Sequence, residues 1–303
     1  MTTKSIPIQT GKPQNKSNLE IGSAAWVRAL LIALYALLSL APIAWMILTS
    51  IKHPADTSAL PPRFLPGFTA PENSFWFRFT FRNFQHVLAD VDTLRYFLNS
   101  VLISSLSTLA SVTVGTLAGY GFSRFPFRGS KDGLFFILST RMLPPLAVAV
   151  PISFMYSRIG LLDTRFGLIL LYTCFNLSFT TWMMKAILDD IPLAYEEAAM
   201  LDGYSRFEAF MRVVLPAATP GLVATAVFSL ISSWNEYAFA LTLTSTDAVT
   251  MPVRIHAIIG DNTAIPWGPL AAASVLFILP IVLFGLLMRK HLVRGVTFGA
   301  VKG

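Results

Sequence analysis

Residues 29–51, 96–123, 213–235 and 262–288 contain no Asp, Glu, Lys or Arg. An uncharged run of about 18 or more mostly apolar residues is long enough to cross a bilayer as a helix. Within lipid, only helices and closed barrels satisfy their own backbone. Residues 166–184 form a fifth such run, and residues 133–157 a sixth broken only by Arg141. Six spans follow, at about Trp26–Thr49, Tyr96–Tyr120, Gly133–Tyr156, Phe166–Ile187, Thr219–Leu241 and Leu270–Met288. The pattern predicts an all-α integral membrane protein. Composition agrees, with 54% apolar and 13% charged residues, where soluble domains carry about 45–50% and 25%.

The formal charge of +7 is a topology signal, not a nucleic-acid footprint. With the N-terminus inside, the short outward loops hold only Arg158, Arg165 and Arg254, while the inward segments hold most of the Lys and Arg. The long first loop carries five more, but long loops translocate largely regardless of charge. Both termini are therefore expected on the cytoplasmic side. The first span is too long for a signal-peptide core and lacks an A-x-A site behind it, so it reads as a permanent helix. The single cysteine, Cys174, reads as a small buried apolar residue of the fourth span.

The chain divides into a flexible tail (1–24), a first transmembrane helix (25–50), an extracytoplasmic loop (51–94), a core (95–290) and a short tail (291–303). In the loop, Phe alternates with other residues from Phe75 to Arg82, which predicts a short half-buried strand. That aromatic stretch fits either an outer docking surface or a belt on the lipid headgroups. A short amphipathic helix is expected over Asn83–Asp90. In the second span, Gly115 and Gly119 form a G-x-x-x-G that lets helix backbones approach closely. Pro144, Pro145 and Pro151 interrupt the third span, because each lacks an N–H and crowds a preceding carbonyl. Broken helices are tolerated in a membrane where a cavity or neighbours satisfy the freed groups.

Between the fourth and fifth spans lie residues 189–216, where acids outnumber bases. A tie between helices needs about 2–8 residues. Here Asp189 or Asp190 with Pro192 predicts a helix start, and Gly203 a left-handed stop. Ser205 and Glu208 have the spacing of a capping box, and Pro216 is expected to end the second helix at Leu215. The insert is thus a helical hairpin at the inner face, of a kind that suits contact with another protein.

These residues carry a resemblance. Glu197-Ala198-Ala199, Asp202-Gly203 and Leu215-Pro216 resemble the EAA loop of binding-protein-dependent ABC transporter permeases. Trp234-Asn235-Glu236-Tyr237, Arg124–Gly129 (RFPFRG), Arg141–Pro145 (RMLPP) and the terminal Gly295–Gly303 are similar to the carbohydrate-uptake class, with its MalG-type subunits. The similarity covers about residues 25–303. It implies a type I ABC importer permease, with six transmembrane helices and a cytoplasmic hairpin of coupling helices seated in an ATPase. It implies that Glu197 makes a polar contact there and that Gly203 sets the bend. The partners implied are a second, MalF-like permease subunit, an ABC ATPase dimer and an extracytoplasmic solute-binding protein, in a bacterial inner membrane. ATP and Mg²⁺ would be held by the ATPase, with no cofactor in this chain.

Arg141 lies about 12 Å into the third span by helical rise. An intramembrane Arg is costly unless paired or hydrated, which makes it a candidate for the pathway. Glu236 is placed about 26 Å from the inner face on the same count, so an ion pair with Arg141 is disfavoured. Trp234, Asn235 and Glu236 are expected to line the outer pathway, with the indole stacking on a sugar ring; Trp234 and Tyr237 read equally well as interface anchors. No G-x-x-x-x-G-K-[ST], H-E-x-x-H or G-x-S-x-G occurs, and four scattered histidines have no ligand spacing. The sequence therefore points to a non-catalytic transport subunit for a sugar, polyol or related solute. The rival is a self-contained secondary carrier or channel, which would want ion-binding acids at mid-membrane.

Overall fold

The computed structural model describes residues 23–69, 75–125, 127–260 and 265–297, so the expectations for both tails lie mostly outside the described residues. Two units are distinguished, Met1–Trp45 and Met46–Gly303. The first consists, where described, of most of helix α1 (Ser23–Ser50), whose large side chains from Trp26 to Leu40 are exposed. Such a surface is stable against acyl chains and not against water.

In the second unit, α2 (Pro54–Thr57) precedes a two-stranded parallel ribbon, β1 (Leu65–Gly67) and β2 (Trp76–Arg78), in the register Leu65 to Trp76. The predicted strand is thus real but short. Phe77 is buried, while Phe75, Phe79 and Phe81 remain exposed. Buried Asp56 ties this region together, accepting from Arg63 and from the Arg78 side chain and backbone. Helix α3 (Arg82–Ala89) matches the amphipathic expectation. Its buried Asn83 donates to the carbonyls of Ser50 and Lys52.

The centre is a pair of long helices, α4 (Val91–Arg124) and α7 (Arg165–Asp189). Their contact is built from small and hydroxylated residues. A Cβ on Gly115 would stand 2.1 Å from Thr180 Oγ1, and one on Gly119 would stand 2.8 Å from the Lys185 backbone nitrogen. The Thr180 hydroxyl donates to the Ser111 carbonyl across this seam. The G-x-x-x-G is a packing device here. Cys174 is exposed on this chain, not buried as expected; a thiol is apolar enough to face lipid without a partner.

Between the two lies the third span, which is broken. Helix α5 (Ser130–Ser139) runs into a 3₁₀ turn (Thr140–Met142), and α6 (Pro145–Ile159) leaves at 93° to it. Pro144 and Pro145 cause the break, since neither can donate to the preceding turn. After α7 come the hairpin helices: α8 (Ala194–Leu201), then α9 (Arg206–Ala209), a π turn (Phe210–Val214) and α10 (Leu215–Ala217). Helix α11 (Thr219–Trp234) follows a 76° bend, then α12 (Ala238–Leu243), α13 (Met251–Gly260) and α14 (Trp267–Thr297). The fifth span was expected to continue to Leu241; it stops at Trp234 because residues 235–237 unwind. Among the described residues four helices are long and apolar enough to cross a membrane, or up to six spans if each bent pair is one.

At the end remote from the hairpin, Asp163 joins the α6–α7 turn to the segment after α12. It adopts a left-handed φ of 54°, which Asp tolerates better than most residues. Its carboxylate accepts from the backbone N–H of Ser245, Thr246, Asp247 and Ala248, and from the hydroxyls of Ser245 and Thr246. Partial burial would raise its pKa, but the N–H groups of Asp247 and Ala248, the Thr246 hydroxyl and the Ser245 N–H outweigh that and hold it well below the usual carboxylate range. A depressed pKa contributes stability that is present above the unfolded value, near 3.9, and lost as pH falls through the folded one. Asp163→Asn is therefore expected to cost about 1–2 kcal/mol at pH 7. Thermal melting of the purified protein should show a lower Tm, and an unchanged Tm would remove Asp163 as a staple.

Candidate functional site

Two sites emerge, one on the hairpin and one between the spans. On the hairpin, α8 begins at Ala194 with Leu193 as its cap residue and no side-chain cap. The predicted start at Asp189 or Asp190 is therefore corrected: Asp189 is the last residue of α7, paired with Lys185, and Asp190 follows as that helix's C-cap. The remaining signals hold. Tyr204 N–H donates to the Ala199 carbonyl and Gly203 N–H to the Met200 carbonyl, the two bonds of a Schellman ending. Gly203 has φ +94° and no atom within 4 Å of where a Cβ would sit. Ser205 and Glu208 form the reciprocal capping box.

Pro216 does not end the second helix at Leu215. The chain first widens into the π turn, with Leu215 N–H reaching the Phe210 carbonyl, and then continues to Ala217. A proline at 216 has no N–H for the carbonyl four residues back and would crowd it; the wider turn relieves both demands. Leu215 is half-buried against the cluster of Tyr120, Met184, Leu188, Phe210 and Val214, while Pro216 is exposed.

The EAA residues take different surroundings. Glu197, Ala198 and Asp202 are exposed, and Ala199 is buried, where its small side chain lets α8 lie close. Tyr195, Leu201, Phe207 and Met211 of the same hairpin are also exposed, Leu201 at 90%. Large apolar side chains exposed on a polar hairpin are the kind of surface that a partner protein covers. The neighbouring Glu196, which sequence reasoning passed over, is 1% exposed and paired with Arg124 and Tyr120.

Between the spans, a cavity of about 170 Å³ is lined by residues that include Arg141, Tyr172, Phe175, Asn176, Glu236 and Phe239. Arg141 sits on the 3₁₀ turn of the broken span, its guanidinium 5.1 Å from the Phe179 ring centre. Glu236 accepts from the Tyr172 hydroxyl at 2.7 Å and from the N–H groups of Phe239 and Ala240. It therefore caps α12, and that cap is what stabilises the unwound residues before it. Counting helical rise placed Arg141 and Glu236 at different depths; the two breaks bring both to one cavity. Among the described residues no ion pair joins them.

Trp234 does not line this cavity. It is 4% exposed, stacks on Phe277 and donates its indole N–H to the Phe277 carbonyl on α14. Indole burial with a satisfied N–H is a core arrangement. Asn235 is exposed and turned back onto the Ile231 carbonyl. The aromatic surfaces in the cavity are instead Phe175 and Phe239, with ring centres 4.7 Å apart. Asn176 donates to Ser233 Oγ, which also receives the Ser107 hydroxyl, so α4, α7 and α11 meet at the cavity wall. Tyr172 and Asn176 lie four residues apart in the fourth span, a one-face spacing that was legible but was not used.

The family model described as binding-protein-dependent transport system inner membrane component matches residues 111–298. The chain is 35% identical over 274 residues to the trehalose/maltose transport system permease protein MalG of Thermococcus litoralis, covering 89% of this chain and 94% of that one. It is 32% identical over 269 residues to the probable ABC transporter permease protein y4oR of Sinorhizobium fredii, covering 88% and 92%. A crystal structure of a bacterial ABC transporter involved in the import of the acidic polysaccharide alginate superposes with a TM-score of 0.70 at 22% identity, over 89% of this chain and 96% of that one.

Proposed function

Because this chain belongs to the family of binding-protein-dependent transport system inner membrane components, we propose a division of labour between its two sites: the hairpin receives force and the cavity passes solute. The chain is a multi-pass permease subunit of a carbohydrate-uptake ABC importer and not an enzyme. The solute is a sugar, polyol or related hydroxylated molecule, moved by alternating access. ATP and Mg²⁺ are held by a cytoplasmic ATPase dimer that seats the hairpin at Glu197, Ala198, Ala199, Asp202, Gly203, Leu215 and Pro216. A second, MalF-like permease completes the pore and an extracytoplasmic binding protein delivers the solute. Both termini and the hairpin face the cytoplasm.

The observation that carries this reading is the capped hairpin with its exposed Glu197 and exposed apolar side chains, in a chain whose broken spans enclose a polar cavity. The cavity chemistry fits a hydroxylated solute: Phe175 and Phe239 offer faces for C–H groups, and Arg141, Asn176 and Glu236 offer donors and acceptors. Co-purification with an ATPase and ATP-dependent uptake in vesicles supports the reading, whereas gradient-driven transport by this chain alone overturns it.

Within that frame, Arg141→Ala and Glu236→Ala are each expected to reduce uptake without abolishing assembly. A lost charge-assisted contact of about 1.5–3 kcal/mol corresponds to roughly 10- to 100-fold. Uptake assays on assembled complexes check this, and native rates in both variants take the cavity out of the pathway.

A further inference from the structure

The hairpin is joined in sequence to α7 and α11, yet it is fastened just as firmly to α4, from which 64 residues of chain separate it (124 to 189). Glu196, in the first turn of α8, has a side chain 1% exposed, and Arg124, in the last turn of α4, has one 7% exposed. Arg124 Nε donates to Glu196 Oε1, and the Tyr120 hydroxyl donates to Oε2 at 2.9 Å. The other end of the guanidinium donates to the Ile191 carbonyl at 2.9 Å and to Ser123 Oγ at 3.0 Å. Ser123 in turn donates to Asp189, which also takes Lys185. The last turn of α4 therefore grips the hairpin at residues 191 and 196, and the last residue of α7 at 189. The second hairpin helix is held too: the Tyr120 ring lies 4.4 Å from that of Phe210, and Arg206 stands over Phe125.

The charges suit their places. A cation at a helix C-terminus and an anion at a helix N-terminus are each favoured by the helix dipoles. Once paired out of water, neither can leave without stranding the other. Such a pair transmits displacement without slack, because separating it costs far more than moving both helices together.

We propose that the Arg124–Glu196–Tyr120 clasp is the element that delivers hairpin motion to α4, and through the Gly115/Gly119 seam to the α4–α7 pair, so that these residues position the hairpin for coupling. This rests on the transport reading above. The clasp differs from the docking face, since Glu196 is turned away from any partner that Glu197 meets.

The test uses the full transporter, with its ATPase and binding protein, reconstituted in proteoliposomes. Uptake and ATP hydrolysis are measured together with complex yield. Glu196→Gln and Arg124→Gln are each expected to lower solute moved per ATP by at least about tenfold. Unchanged stoichiometry in both single variants overturns the proposal. A second measurement separates coupling from folding. In a Cys174→Ser background carrying Glu196→Gln with Phe125→Cys and Arg206→Cys, two positions that face each other between the end of α4 and α9, a short thiol cross-linker refastens α4 to the hairpin. Restored solute per ATP supports the clasp, and no restoration after complete cross-linking overturns it. If the single variants fail to assemble, Arg124→Lys, which keeps the charge but cannot hold Glu196 and the Ile191 carbonyl together, is measured instead: a lowered solute per ATP supports the clasp and an unchanged one overturns it. Absence of ATP-driven uptake in the native complex would be a failure of the transport reading itself, and is recognised before any variant is compared.

Discussion

Replacing Gly203 with valine is expected to abolish most ATP-driven uptake while leaving the chain in the membrane. The residue has φ +94° and open space where a Cβ would point, so the penalty is conformational and not a collision. A left-handed backbone costs an L-residue about 1–2 kcal/mol, and a β-branched side chain pays the most. The chain can escape that strain only by moving the end of α8, which gives up the Tyr204–Ala199 and Gly203–Met200 bonds and re-aims Ser205 and its helix. Asparagine, which tolerates this backbone, should retain most function, alanine less and valine least. Uptake and ATPase activity measured across the three variants give that order. Full uptake with valine means the angle between the hairpin helices transmits nothing.

A second large effect is expected at the seam of α4 and α7. Gly119→Val places its new carbons against the Lys185 nitrogen and the Thr181 carbonyl, 2.8 and 3.1 Å from the first added atom, and these are backbone atoms that no rotamer change can move. Overpacking of this kind costs about 1–3 kcal/mol and sometimes more. Here it also forces apart the longest interhelical contact and breaks the Thr180–Ser111 bond. The expected outcome is a several-fold lower yield of monodisperse protein after detergent extraction. Gly121→Ala is the control, since nothing lies within 4 Å of its Cβ position. Equal yields for the two variants would show that close backbone approach does not hold the pair.

What the sequence revealed and what it concealed divide along a physical line. Charge-free runs set the spans, and caps set the hairpin, because both are local: Gly203, Ser205 and Glu208 act on groups within a turn of themselves. The errors arose where one residue acts on another far along the chain or where a helix was taken as straight. Counting 1.5 Å per residue separated Arg141 from Glu236, yet the 93° break and the unwound 235–237 segment bring both to one cavity. Glu236 was legible as an acid in a span, but its capping of α12 depends on Tyr172 and on a helix start that no periodicity announces. Trp234 read equally well as a sugar platform or an interface anchor, because its stacking partner Phe277 lies 43 residues further on, in α14. Glu196 was hidden because its partners, Tyr120 and Arg124, lie 76 and 72 residues earlier in the chain.

The π turn at Phe210–Val214 has a consequence for any mutational survey of this region. Each residue of an α-helix advances the side-chain direction by about 100°, and a wide turn absorbs one residue more than an ordinary one. A helical wheel drawn straight through 206–217 would therefore mislabel every position on one side of that turn. Arg206 and Phe207 must be assigned to faces separately from Leu215 and Ala217, each from its own side of the widened ring.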